Sequence, residues 1–181
     1  LQTSKFLYGC AVNAFVLKEN WLMDSIVANS LVPPEKYMIL PNNNSKKHQR
    51  IGQPVHSTNL TYIFDKVGIM LHGKHSFCTN MEKIVKHGGG QVFKTLQWLV
   101  HDLNNGRVSL GAIVIEDENG ACRHLRHYAL EQKLPMMPAN WIIESLLLGK
   151  LIPLDKNGPS FPTAKKKISK LATIMELSLE I

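Results

Sequence analysis

With 181 residues, 44% hydrophobic and 19% charged, the chain has the make-up of an ordinary folded protein and room for one large domain or two small ones, which excludes a disordered or fibrous polypeptide. Its 21 basic against 14 acidic side chains give a net charge of +7, which favours anionic partners such as nucleic acid, phosphoprotein or acidic peptide without choosing among them. No apolar run approaches the roughly 18 residues of a membrane span, no secretory pattern opens the sequence, and the scattered Cys10, Cys78 and Cys122 suit a reducing compartment, cytosol or nucleus.

Residues 3–11 read as a helix with Phe6, Leu7 and Cys10 on one face, and Ala14-Phe15-Val16-Leu17 reads as a short buried strand. A second helix begins at Trp21, with an apolar stripe through Leu22, Ser25 and Ile26. Asn29 and Ser30 weaken it, and Pro33-Pro34 prevents its continuation. Residues 41–62, opening Pro41-Asn42-Asn43-Asn44-Ser45-Lys46-Lys47, lack periodicity and read as a linker that holds a domain boundary.

Beyond the linker, Val67-Gly68-Ile69-Met70-Leu71 reads as a buried strand, and residues 79–87 as a helix with Met81, Ile84 and Val85 inward. Gly88-Gly89-Gly90 ends that helix. A phosphate loop would run from a strand into a helix N-terminus, whereas these glycines leave a helix and lack a following Gly-Lys-Ser/Thr, so they read as a left-handed stop and tight turn. Gln91-Val92-Phe93 and Ala112-Ile113-Val114-Ile115 are strands separated by a polar, glycine-containing excursion. Residues 121–132 are helical and Pro135-Met136-Met137 is a further strand. Asn140 is expected to cap a helix over residues 141–148 that Gly149 stops. Strands alternating with helices imply parallel pairing and an α/β class.

The tryptophan helices repeat. Trp21-Leu22-Met23-Asp24-Ser25-Ile26 lies without a gap on Trp141-Ile142-Ile143-Glu144-Ser145-Leu146, and Leu31-Val32-Pro33 on Leu151-Ile152-Pro153, a period of 120 residues. A helix, a short apolar strand and a turn precede each copy, so the duplicated unit is larger than the motif. Trp21 and Trp141 are expected to be core anchors.

These residues resemble the BRCT domain, named after the C-terminus of the breast-cancer susceptibility protein. The marks are Thr3-Ser4-Lys5-Phe6-Leu7 opening a helix, the tryptophan in the last helix of each unit, and the glycines after the first helix of the second unit. Lys5-Phe6-Leu7, Trp21-Leu22 with Ser25, and Val32-Pro33-Pro34-Glu35-Lys36-Tyr37 look most like the mediator-of-DNA-damage-checkpoint group. The resemblance implies tandem repeats, each a four-stranded parallel sheet with one helix on one face and two on the other, paired through helices of both repeats. The expected division is a C-terminal half of a first repeat over residues 1–40, a linker over 41–63, a second repeat over 64–155 and a basic, amphipathic tail over 156–181. The first repeat has only its last two helices and one strand, so the chain is expected to begin mid-domain, or another chain supplies the rest.

The resemblance also implies a function: a phosphoserine-reading module of a nuclear DNA-damage response scaffold, with the phosphorylated histone tail at double-strand breaks as candidate target. Lys5 matches the family's phosphate-binding lysine, while Thr3 suits a helix cap as well as a phosphate contact. The family's other phosphate ligands, a Ser or Thr followed by Gly, are not identified in this chain. A specificity pocket for the side chain three residues after the phosphoserine would be lined by Leu7, His75, Ser76 and Ile143, of which Leu7 and Ile143 equally suit plain core positions. Gln2 stands where the checkpoint-mediator group has an arginine for the peptide's terminal carboxylate, which puts free C-terminus recognition in doubt.

Other constellations are bland. His124 and His127 lack a third metal ligand at suitable spacing, and Asp117 and Glu118 read as loop carboxylates. No nucleophile, base and orienting group form an evident set, so neither an enzymatic role nor a cofactor or metal is expected. Lys165-Lys166-Lys167 reads as a solvated patch or a functional one. Ile168, Leu171, Ala172, Met175 and Leu179 have helical spacing, which fits a docking helix or a disordered extension equally. Two rival roles remain: contact with DNA, which predicts affinity that falls steeply with salt, and a phosphate-independent scaffold.

Overall fold

The computed structural model describes residues 3–39, 62–117 and 120–154. Gln2, Glu118, most of the expected linker and the tail lie outside the described residues. The first unit contributes two helices, α1 (Ser4–Ala11) and α2 (Asn20–Val27), and a 3-10 turn at Pro34–Tyr37. In chain order the second unit comprises β1 (Val67–His72), α3 (His75–His87), β2 (Gln91–Phe93), α4 (Leu96–Asn104), β3 (Leu110–Ile115), α5 (Arg123–Glu131), β4 (Met136–Pro138) and α6 (Ala139–Leu148).

The four strands form one sheet in the order β2-β1-β3-β4, parallel throughout. Right-handed crossovers then decide which helix covers which face. The step from β1 to β2 runs one way along the sheet; the steps from β2 to β3 and from β3 to β4 run the other way. Accordingly α3 packs on one face over Ile69 and Val114, where α6 joins it through Trp141, while α4 and α5 pack on the opposite face over Ile113 and Ile115. Covered on both sides, β3 reads as the continuous buried run Gly111 to Ile115.

The arrangement differs from the expected one helix and two, because the excursion after β2 is itself a helix. Its apolar residues Leu96, Leu99, Val100 and Leu103 follow the helical spacing, and Thr95 caps it by accepting a hydrogen bond from the Trp98 N–H at 3.4 Å. α4 sits close to the sheet because Gly68 and Gly111 are register partners on adjacent strands. A Cβ on Gly68 would come within 2.6 Å of Leu99 Cδ1, and one on Gly111 within 2.6 Å of Leu103 Cδ1. Gly68→Ala is therefore expected to lower stability by about 1–3 kcal/mol through overpacking. A urea denaturation midpoint equal to that of the unmodified chain would refute that account of the glycine pair.

Two further expectations are corrected. Asn140 does not cap α6. The N-cap is Pro138, and Asn140 lies inside the helix with its Nδ2 donating to Glu144 Oε1 at 2.5 Å. Likewise Ala14 to Leu17 form no strand: Leu17 makes a single antiparallel bridge with Met38, flanked by Lys18 N–H to Tyr37 O at 2.8 Å and Ile39 N–H to Val16 O at 2.9 Å. A parallel strand needs a neighbour of the same direction. Among the described residues this unit supplies none, and the segment pairs with the nearest extended backbone. The glycine stop holds as expected, with Gly89 at φ +85° following α3, and Gly149 at φ +62° ends α6.

Candidate functional site

The candidate site starts at α1. Thr3 has extended backbone angles (φ −74°, ψ 153°), and its Oγ1 accepts the Phe6 N–H at 3.3 Å, an N-cap that occupies the side-chain oxygen. Ser4 and Lys5 follow as the first two helical residues, both exposed. No acidic side chain stands in this first turn. The helix start therefore offers unpaired N–H groups and the positive end of the macrodipole, with an ammonium added. A lysine there is electrostatically disfavoured by its own helix, and an anion in front of it would relieve the conflict.

α1 packs against α3 and α6, so it bridges the two units. Its Leu7 is 5% exposed and sits in the core cluster with Ile84, Val85, Trp141 and Ile142. Of the four pocket candidates, Leu7 is thus core. Ile143, half-buried on α6, packs at the edge of the same cluster. His75 and Ser76 occupy the first turn of α3 and are exposed. The structure brings the three helices that carry the candidates together, and Tyr8 of α1 meets His87 of α3 with ring centroids 4.7 Å apart.

The tryptophan repeat survives as a repeated set of hydrogen bonds. Trp21 Nε1 donates to Val32 O at 2.9 Å and Trp141 Nε1 to Ile152 O at 3.0 Å. The matching serines, Ser25 and Ser145, each accept from the following backbone, Val32 N–H and Ile152 N–H, at 3.2 Å. Burial differs. Trp141 is 3% exposed, whereas Trp21 is only half-buried, and Leu22, Met23, Ile26 and Val27 on α2 are exposed. Trp21 is therefore not the core anchor its sequence pattern led one to expect: among the described residues no sheet covers α2.

Burial raises the pKa of the Cys10 thiol above its ordinary value, and burial with the nearby Glu116 carboxylate does the same for Cys78. Both stay in the thiol form at neutral pH, which disfavours a nucleophilic role. Among the described residues no group of three His, Cys, Asp or Glu could hold a metal ion, and no helix is long and apolar enough to cross a membrane. One polar side chain at the α3 start went unread in the sequence. Glu116, directly after β3, reaches the Lys74 N–H at 2.6 Å, and only strand pairing brings those positions together.

A profile of the BRCA1 C-terminal (BRCT) domain matches residues 62–162. The chain belongs to the BRCT family. The BRCT5-BRCT6 crystal structure of Brc1 from S. pombe superposes with a TM-score of 0.56 at 18% identity, over 87% of this chain and 77% of that one. Two other BRCT structures are more distant: BRCT3,4 of Rad4 from S. pombe (14% identity, 75% and 63% of the two chains, TM-score 0.39) and the BRCT domain of human DNA repair protein REV1 (17%, 57% and 93%, 0.38). None of the curated proteins compared matches the chain. BRCT domains are in general protein-interaction modules, and the structure of this chain is similar to that of a tandem BRCT pair.

Proposed function

We propose that the chain is a phosphoserine-peptide-binding module of a nuclear DNA-damage response protein, organised as the end of a first BRCT repeat (1–40), a linker (41–63), a second repeat (64–155) and a tail (156–181). The observation that carries the reading is Lys5: an exposed cation at the start of a helix that bridges the two units, with no acidic side chain in its first turn. A phosphoserine brings about −1.5 to −2 charges and strong acceptor oxygens, which an ammonium and free N–H groups at a helix start can meet. Thr3 acts by shaping that start. The phosphorylated histone tail at double-strand breaks is the candidate target, chosen from the resemblance to the checkpoint-mediator group.

Isothermal titration with phosphorylated and unphosphorylated forms of one tail peptide tests the reading. Preference for the phosphorylated form is expected. Equal affinities would sink it, and binding to plain duplex DNA that falls steeply with salt would favour the nucleic-acid alternative.

A further inference from the structure

The turn between β1 and α3 is held by a side chain that belongs to neither element. Glu116 extends the β1–β3 ladder by one rung, its backbone N–H donating to His72 O at 2.9 Å. From there its Oε2 accepts the Lys74 N–H at 2.6 Å. Lys74 is the N-cap of α3, its own side chain makes no capping bond, and the first turn of α3 contains no acid. In a capping box a glutamate three residues into the helix reaches back to the N-cap N–H. Phe77 holds that position in α3, and the carboxylate arrives from the neighbouring strand instead.

Gly73 makes room for it. A Cβ there would lie 2.6 Å from Glu116 Cβ, 2.7 Å from Oε2 and 2.9 Å from Phe77 Cδ1. On the other side of the turn, His72 Nε2 stands 3.3 Å from Gly120 O, so the loop after β3 is tied to the same place. The next two residues after the tethered Lys74 are His75 and Ser76, both exposed on a helix that packs against α1.

We propose that Glu116 is a positioning residue for peptide selectivity: its tether to Lys74 fixes the start of α3, and so fixes His75 and Ser76 relative to the helix that carries Lys5. This rests on the phosphopeptide reading. The cap acts on which peptide is chosen, while Lys5 acts on whether phosphate is required.

Two measurements on the full chain test it. Amide hydrogen exchange should show Lys74, bonded to Glu116, and Cys78, whose N–H donates to Lys74 O at 3.0 Å, exchanging about tenfold faster in Glu116→Ala, with the β1 and β3 amides unchanged. Unchanged exchange at those two amides overturns the proposal whatever the peptide does. Glu116→Gln keeps an acceptor oxygen and should retain protection, and Gly73→Ala, which pushes the carboxylate out, should reproduce the Glu116→Ala pattern. If Glu116→Ala fails to fold, that pair of variants decides.

The second measurement is titration with phosphoserine peptides that vary only at the third residue after the phosphoserine. Discrimination among them should fall about tenfold in Glu116→Ala and stay near normal in Glu116→Gln, with the phosphorylated-to-unphosphorylated ratio unmoved. Discrimination retained in Glu116→Ala, or both ratios falling together, overturns the proposal. Absence of phosphate preference in the unmodified chain would instead remove the functional reading, and the exchange experiment would still decide the tether.

Discussion

Trp141→Ala is expected to lower the unfolding free energy by about 3–5 kcal/mol, a large share of the roughly 5–15 kcal/mol that holds a domain together. Trp21→Ala, the same change in the other copy of the motif, should cost about 2 kcal/mol less. Each indole makes an equivalent hydrogen bond to the backbone eleven residues on, so loss of that bond contributes about equally to both variants. What differs is packing. Trp141 is buried against Phe64, with ring centroids 6.2 Å apart, and against the core that includes Ile69 and Val85. Trp21 is only half-buried and stands outside that core. Paired urea denaturation curves read the difference directly, and equal losses would show that Trp21 is as firmly packed as its partner.

Lys5→Met is expected to weaken binding of a phosphorylated tail by about 10- to 100-fold, the loss of a charge-assisted hydrogen bond, and to leave binding of the unphosphorylated peptide unchanged. Stability should not fall. Lys5 is exposed, and a cation in the first turn of a helix opposes the macrodipole, so its removal is neutral or stabilising by a few tenths of a kcal/mol. That sign separates a binding lysine from a structural one. A variant that unfolds more readily, or one that weakens both peptides alike, would take Lys5 out of the phosphate site.

Much of the fold, including the helix that carries the candidate site, was legible because the signals were local. Thr3 followed by an apolar stripe at Phe6, Leu7 and Cys10 marks a capped amphipathic helix, and the helix is there with its buried face on the second unit. The strands β1, β2 and β3 stand out as short apolar runs between glycines and polar turns. α4 was equally available, since Leu96, Leu99, Val100 and Leu103 carry the helical period. It was obscured by the polar Gln97, His101, Asp102 and Asn104 between them, which read as loop when taken together. Asn140 shows the opposite error: a good capping residue type one position inside a helix that begins at Ala139.

The duplicated tryptophan unit and the α/β class could be read along the chain, because periodicity, capping and repetition act between residues close in sequence or copied in register, while Lys5 was singled out by the resemblance to the BRCT family. It took the folded structure to show that one tryptophan is core and the other half-buried, that two glycines on neighbouring strands seat α4, and that Glu116 holds the start of α3. These depend on which strands become neighbours, and β1 and β3 meet across some forty intervening residues.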